Sequence, residues 1–510
     1  LVQNFENLNP ANTLWTKQYN LYSKVDTEEP RYLGFEKWWS GYFLSTKEEM
    51  RFITDELFVG NKLADGTIQT SDRRRINLEN IRSPIIVMAS WGDNITPPPQ
   101  ALNWIADLYE DVDEIRAHEQ VIVYTLDQRV GHLGIFVSAK VAQKQHAEIV
   151  NTIDLIDTLP PGLYEMVIEE KRPEDLGVDL LPGRYLVRFE GRDLSDLDAL
   201  DDSREDEDAF ETVARISEIN EGLYNTFLSP WVKLLTNDAS AEMLRAMHPL
   251  RLERYMISDL NPMLWPLKVM AHAVREQRRP AAPDNPFVKA EHAVSDQIEK
   301  SLDMYRDLRD RGQEALFKSI YNSPLIEALV GLRAPYADSR KPRARDEHLE
   351  KMLEAKIEAL KGREERGGFV EAVVRIALAG AGAEKMVDAR GFRLGQKLRK
   401  EHPKFNRVSH ERLKEMVKEE ALMLRFDRER ALAALPRMLP TTAERREAFD
   451  YVRQAVSARG EITPERAAVM AQIEQILGLE PEPAPERGPG PAPERARAAE
   501  KKKASPAAAE

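Results

Sequence analysis

Two residues with acid–base side chains, Asp93 and His132, each follow a short apolar run of the sequence. Asp93 comes after the run 84–90, and His132 follows the run 121–125. A carboxylate that accepts a hydrogen bond from one imidazole nitrogen fixes the tautomer of the ring, and the other nitrogen can then take a proton from a nucleophile. The two residue types therefore predict catalysis by proton transfer, as in acyl transfer.

The two apolar runs are rich in β-branched residues and predict buried strands of a parallel sheet. A helix is predicted to open at the prolines 97–99, and another is predicted over about 137–150. Strand, helix, strand and helix in this order are typical of a βαβ unit. Since open α/β sheets place their sites at the carboxyl ends of parallel strands, we expect Asp93 and His132 to meet at one edge.

Each of the two residues also has a purely structural interpretation. Asp93 lies in a Gly-Asp-Asn sequence, which is typical of turns. His132 has the alternative role of a buried histidine whose hydrogen bonds are satisfied. The placement of both residues after two successive strands favours the catalytic interpretation, because α/β-hydrolases order their acid and base in this way along the chain.

Several segments resemble polyhydroxyalkanoate synthases, an α/β-hydrolase family, and in particular an uncharacterised bacterial branch of it. In that family the catalytic Asp lies in a D-x-I-x-P motif, matched here by 93–97, and the His lies in a Gly-His loop, matched by 131–134. Further similarity lies in 58–66 and 76–87. The resemblance covers about residues 5–150 and implies a nucleophile-His-Asp triad that acts on a hydroxyacyl thioester, such as an acyl-CoA, or on an ester.

The nucleophile of such a triad is absent from the sequence. The synthases use a Cys in a Gly-x-Cys-x-Gly turn, whereas this chain has no Cys and no Gly-x-Ser-x-Gly. The nucleophile precedes the acid and the base in these folds. Because the chain starts at Leu1 and not at Met, we expect a fragment whose nucleophile lies upstream, and we expect these 510 residues alone to be inactive.

Four tryptophans are candidates for lining an apolar acyl pocket, although core packing is the commoner role of this residue: Trp38, Trp39, Trp91 and Trp104. Two further histidines, His118 and His146, lie in helical or polar contexts. We expect both to be on the surface.

The predicted fold class is α/β, the C-terminal half of an α/β-hydrolase, followed by mainly α-helical regions. The predicted divisions are the partial hydrolase domain with part of its cap at 1–158, a β-containing segment with an acidic linker at 159–208, a helical region at 209–335, a charged linker at 336–366, a helical domain at 367–478 and a disordered tail at 479–510.

The helical domain weakly resembles the TerB-like tellurite-resistance domain, through 369–377 and 460–466. In that family acidic side chains near the second segment are suggested to bind cations, but Ala458-Arg459 depart from its pattern. The residues favour a helix start, with Thr463 as the N-cap and Pro464 as the first helical residue.

The composition excludes several classes of function. A net charge of −13 argues against binding of nucleic acid by the whole chain. The sequence has no apolar run long enough for a membrane span, and without Cys it has no disulfide or thiolate metal site. We expect a cytoplasmic protein without cofactor or metal. The alternative to an acyl-transfer enzyme is a non-catalytic scaffold or regulator that keeps a hydrolase-like fold. The C-terminal helical domain is a candidate for binding a protein partner.

Overall fold

The computed structural model of the chain describes residues 9–39, 45–64, 66–93, 95–132, 134–200, 205–279, 281–282, 284–332, 351, 354–355, 358–460 and 462–480. Two units are defined by their internal contacts. The first contains residues 1–169 and 187–354, and the second contains residues 170–186 and 355–510.

The strands β1 (Ile85–Ser90), β2 (Val121–Asp127), β3 (Gly162–Glu170) and β4 (Tyr185–Arg192) are neighbours in this order in the sheet that carries the candidate site. Strand β2 runs parallel to both β1 and β3. Ion pairs join Glu169 to Arg188 at 2.6 Å and Glu165 to Arg192 at 2.7 Å, as expected for an antiparallel hairpin of β3 and β4.

Helices occupy most of the rest of the first unit. Before the sheet they are Lys17–Ser23, Val25–Trp39 and Lys47–Phe52. Between and after the strands they are Pro98–Leu108, Val112–Ala117, Gly134–Val137, Ala139–Val141, Ala147–Asn151, Ile153–Asp157 and Leu194–Asp198. The later helices are Glu205–Leu223, Ser229–Leu235, Asp238–Ala246, Pro249–Met256, Trp265–Gln277, Pro286–Tyr321 and Pro324–Val330.

Short π-helical and 3₁₀ segments complete the first unit. The π-helical turns are Ala11–Thr16, Ile53–Phe58, Ala142–His146 and Tyr224–Leu228. The 3₁₀ turns are Leu78–Asn80 and Pro262–Leu264.

The core of the first unit lies between the helix Pro98–Leu108 and the sheet. Leu102 and Ile105 lie on one face of this helix, four and seven residues after its first residue, and both are fully buried. They belong to one cluster with Ile122 of β2 and Leu163 of β3. Burial of this apolar face holds the helix against the strands, so that the loop between β1 and the helix has a fixed position.

The described residues of the second unit are mainly helical and include the short strand β5 (Met386–Asp388). Its helices are Phe369–Glu384, Ala389–Glu401, His410–Phe426, Arg428–Ala433, Leu435–Met438, Thr442–Val456 and Pro464–Ile476, and its 3₁₀ turns are Val178–Leu180 and Ser457–Arg459. The first helix contributes Ala372 and Ile376 to the core and is buried over much of its length.

The segment 170–186 belongs to the second unit, although it runs from the last residue of β3 to the first two residues of β4. The carbonyl of Leu176 accepts a hydrogen bond from Nη1 of Arg390 at 2.9 Å. Gly177 has a φ of +69°, and a Cβ atom there would lie 2.2 Å from the carbonyl oxygen of Ala458. Glycine is therefore required at this position both by its backbone conformation and by the closeness of its neighbour.

The predicted mixed α/β class is confirmed. The runs 84–90 and 121–125 correspond to β1 and β2, and the segment predicted to contain β structure at 159–208 contains β3 and β4. The single helix expected over about 137–150 is instead a series of short helical pieces that begins at Gly134. The capping of Ala139–Val141 by Ser138 separates the first two pieces. Most of the predicted tail at 479–510 and residues 336–350 of the predicted linker lie outside the described residues. Across the described part of the chain, no helix has the length and apolar character needed to cross a bilayer.

Candidate acid–base site

The loops that follow β1 and β2 are in direct contact. Ser90 and Asp127, the last residues of the two strands, are register partners, and the backbone N–H of Trp91 donates to the carbonyl of Asp127 at 2.9 Å. At Gly92 the chain passes so close to the second loop that a Cβ atom would lie 2.4 Å from the carbonyl carbon of Arg129. The absence of a side chain at Gly92 thus allows the two loops to meet.

Asp93 lies in the first loop and is held by several donors. Its Oδ1 accepts hydrogen bonds from the backbone N–H groups of Ile95 at 2.9 Å and Thr96 at 3.0 Å. Its Oδ2 accepts one from the hydroxyl of Thr96 at 2.8 Å. The residue is only 1% exposed. A buried carboxylate with this set of donors has a single orientation.

His132 lies in the second loop and reaches the same carboxylate. Its Nδ1 is 2.8 Å from Oδ2 of Asp93 and 3.3 Å from the hydroxyl oxygen of Thr96. The imidazole side chain is 37% exposed. Within the described residues, Nε2 of this ring has no hydrogen-bond partner. With Nδ1–H donating to Asp93, Nε2 carries the lone pair and can accept a proton.

Two opposing effects act on the pKa of Asp93. Burial raises the pKa of the carboxyl group, whereas the hydrogen bonds from the Thr96 and Ile95 backbone, from His132 and from the Thr96 hydroxyl lower it. The hydrogen bonds outweigh the burial, so the pKa lies below the ordinary value of 3.8. Asp93 is therefore ionised at neutral pH, which suits a group that stabilises an imidazolium.

The second loop is shaped by Asp127 at the end of β2. Its Oδ1 accepts from the backbone N–H of Arg129 at 2.9 Å and of Val130 at 3.1 Å. Its Oδ2 accepts from the side-chain amide of Gln145 at 2.7 Å. Asp127 thus closes the turn that leads to His132 and ties this turn to the following helical segment.

Thr96 and Asp127 were not singled out from the sequence. A Thr three residues after an Asp is a recognisable side-chain turn pattern, so the role of Thr96 was accessible in principle. The link from Gln145 to Asp127 joins residues 18 positions apart. This hydrogen bond forms only because the chain folds back on itself, so the spacing of neighbouring residues does not predict it.

The other candidate site residues differ in how far they are buried. Trp104 packs against the core cluster, Trp91 and Trp38 are exposed, and the side chain of Trp39 lies outside the described residues. His146 is half-buried. The surface position expected for His118 is wrong, because this residue is buried at the C-terminal end of the helix Val112–Ala117.

In the second unit the predicted helix start is confirmed. The hydroxyl of Thr463 accepts a hydrogen bond from the backbone N–H of Arg466 at 3.3 Å, and the helix begins at Pro464. Glu384 accepts hydrogen bonds from the Thr463 hydroxyl at 2.7 Å and from Nη1 of Arg466 at 2.9 Å. These contacts give this carboxylate a structural role at the helix start.

Taken together, the loops after two adjacent parallel strands hold an ionised carboxylate and an oriented imidazole in a mixed α/β protein. A family model for a protein of unknown function, DUF3141, matches residues 1–363. The chain belongs to this family. It is 47% identical over 481 residues to an uncharacterized protein in the ackA 5'region of Rhizobium meliloti, with 94% of this chain and 66% of the relative covered. The chain therefore spans about two thirds of the length of that relative. No solved structure matches the chain.

Proposed function

We propose that Asp93 and His132 are the acid and the base of an α/β-hydrolase-type triad that carries out acyl transfer or ester hydrolysis. The observation that supports this most is the 2.8 Å contact from Nδ1 of His132 to Oδ2 of a buried, ionised Asp93. The contact holds the imidazole with Nε2 outward, which is the arrangement that a general base needs.

The order along the chain also supports the proposal. In α/β-hydrolases the acid and the base follow successive late strands of a parallel sheet, with the acid first. Here Asp93 follows β1, His132 follows β2, and these strands are parallel neighbours. In the proposed reaction a nucleophile from outside these 510 residues attacks a carbonyl carbon. His132 takes its proton at Nε2 and then passes that proton to the leaving group.

The proposed substrate class is a hydroxyacyl thioester or an ester, and it rests on the resemblance to polyhydroxyalkanoate synthases. Trp91 is adjacent to the loop of Asp93 and is partly exposed, so it is available to contact an acyl chain.

The experiment compares the full-length natural protein with its His132→Ala and Asp93→Asn variants. Hydrolysis of a short p-nitrophenyl ester and release of CoA from 3-hydroxybutyryl-CoA are measured. We expect kcat/KM to fall by about a thousandfold or more in both variants, because the base is lost in one and misoriented in the other.

His272→Ala is the matched control, since His272 is an exposed histidine on the helix Trp265–Gln277. It should retain full activity. A full-length protein whose activity survives His132→Ala would contradict the mechanism. Turnover by the 510-residue chain alone would contradict the location of the nucleophile outside it.

A second candidate function is a scaffold that retains the hydrolase-like fold without chemistry. It is favoured by the helices after β4, where large apolar side chains are exposed on several neighbouring elements, among them Trp231, Leu235, Trp265 and Val269. If this is the role, partners captured with the full-length protein bind the Asp93→Asn variant with unchanged affinity, and no ester or thioester is turned over.

A further inference from the structure

Three potential metal ligands meet at the end of the sheet opposite to the acid–base site. Glu79 lies in the 3₁₀ turn Leu78–Asn80, which leads into β1. Glu114 and His118 lie on and directly after the helix Val112–Ala117, which leads into β2. One ligand atom from each of the three side chains lies within 4.8 Å of the others. The spacing of four residues places Glu114 and His118 on one face of the helix.

Two of the three groups are removed from solvent. Glu79 is 7% exposed and His118 is 4% exposed, while Glu114 is half-buried. Two carboxylates this close together repel each other. A divalent cation among the three ligand atoms would offset this repulsion. Buried charged groups in proteins are typically paired or coordinate a metal.

The carboxylates are oriented by neighbouring donors outside the cluster. The side-chain amide of Asn77 donates to Oε2 of Glu79 at 3.0 Å, and the backbone N–H of Glu110 donates to Oε2 of Glu114 at 2.6 Å. Hydrogen bonds of this kind fix the direction of metal-binding side chains.

Arg82 connects the two segments that supply the ligands. Its Nη1 donates to the backbone carbonyls of Glu79 at 2.8 Å and of His118 at 3.2 Å. The turn before β1 and the end of the helix before β2 are thereby held at a fixed separation. The two segments that carry the three ligands are therefore held in place by backbone contacts, whether or not an ion is bound.

We propose that Glu79, Glu114 and His118 bind a divalent transition-metal ion, with Zn²⁺ as the best match. An imidazole nitrogen combined with carboxylate oxygens suits Zn²⁺ and its neighbours, whereas Ca²⁺ and Mg²⁺ prefer oxygen ligands alone. Three protein ligands leave a further coordination position for water. The ion would cross-link the entries to β1 and β2, and the proposal is independent of any activity at Asp93 and His132.

The experiment measures Zn²⁺ binding to the chelator-treated protein by calorimetry and records the visible spectrum of the Co²⁺ form. Glu79→Gln and His118→Gln are compared with Asp113→Asn. Asp113 precedes Glu114 on the same helix but pairs with Arg116 at 2.7 Å. We expect one site per chain. Loss of either ligand should weaken binding by more than the roughly tenfold to hundredfold that loss of a residue orienting a ligand typically costs, while the Asp113→Asn control retains wild-type affinity.

The wild-type protein provides a test that does not depend on the folding of the variants. Zn²⁺ should raise the Tm of the chelator-treated protein, since a ligand that binds only the folded state stabilises it. The Co²⁺ form should show the absorption of nitrogen and oxygen ligation. Absence of stoichiometric binding to the wild-type protein, or unchanged affinity in both ligand variants, would overturn the proposal.

Discussion

At the residue scale, the ionisation of Asp93 has a consequence for stability. The pKa of this carboxyl group is lower in the folded protein than its ordinary value of 3.8. The folded state therefore stabilises the ionised form of Asp93 relative to the unfolded state. Its contribution to the free energy of unfolding is fully present above about pH 3.8 and is lost as the pH falls through the lower pKa of the folded state.

We expect Asp93→Asn to lower the free energy of unfolding by about 1–3 kcal/mol at pH 7, because the charge-assisted hydrogen bonds are lost. The difference between wild type and variant should shrink as the pH falls below about 4, because Asp93 is then protonated in the unfolded chain while the folded protein still holds it ionised. Urea unfolding of both proteins between pH 7 and pH 3 measures this. A difference that is the same at every pH would show that Asp93 does not act through its charge.

The role of a site residue could be predicted from the sequence where its immediate neighbours in the chain indicate that role. Asp93 and His132 were accessible because each directly follows a recognisable strand. His118 was assigned to the surface because its neighbours Arg116, Glu119 and Gln120 are polar. Its burial results from tertiary packing, in which its ring also makes a T-shaped contact with the ring of Tyr109, with ring centroids 5.7 Å apart. The pattern of polar neighbours contains no information about that contact.

At the element scale, the approach of the two site loops depends on Gly92. We expect Gly92→Ala to lower the proposed activity and to destabilise the protein by about 1–3 kcal/mol, because its Cβ would overlap backbone atoms of Arg129 and Val130. The matched control is Gly131→Ala, whose Cβ would meet only the carbonyl oxygen of Gly92 at an ordinary 3.8 Å.

Thermal unfolding and ester hydrolysis of the two glycine variants measure this difference. Equal behaviour of the two would mean that the loops can separate at little cost. Their close contact would then not be what positions Asp93 against His132.

Among the helices and strands, those whose residues are buried throughout were predicted best from the sequence. Residues 121–125 of β2 are all buried, and a continuous apolar run is the expected sequence of such a strand. The helices after β4 were recognised as helical, but their packing was not. Their apolar residues predict buried faces, whereas many of these side chains are exposed in the described part of the chain. A periodic pattern indicates that a face exists and does not indicate what covers it.

At the scale of the whole molecule, the same residue type has very different roles in different regions. Leu102 is fully buried in the helix Pro98–Leu108, whereas Leu235 is 71% exposed at the end of the helix Ser229–Leu235. Both lie in the first unit. The stability of this unit should therefore depend on the core against the sheet much more than on its later helices.

We expect Leu102→Ala to lower the free energy of unfolding by about 2–5 kcal/mol, since it leaves a cavity in the core. Leu235→Ala should change it by less than about 0.5 kcal/mol. Chemical denaturation of the 510-residue chain measures both. A large loss in Leu235→Ala would show that this face is covered in solution, for example by a second copy of the chain.

The segment 170–186 should keep the two parts of the chain associated after a single proteolytic cut between the units. Because this segment is joined covalently to the first unit but packs with the second through Leu176 and Gly177, the chain passes between the units three times. A protease that cut once near residue 355 would leave a long fragment still carrying part of the second unit's own structure. The two cleavage products would then remain associated without a peptide bond between them.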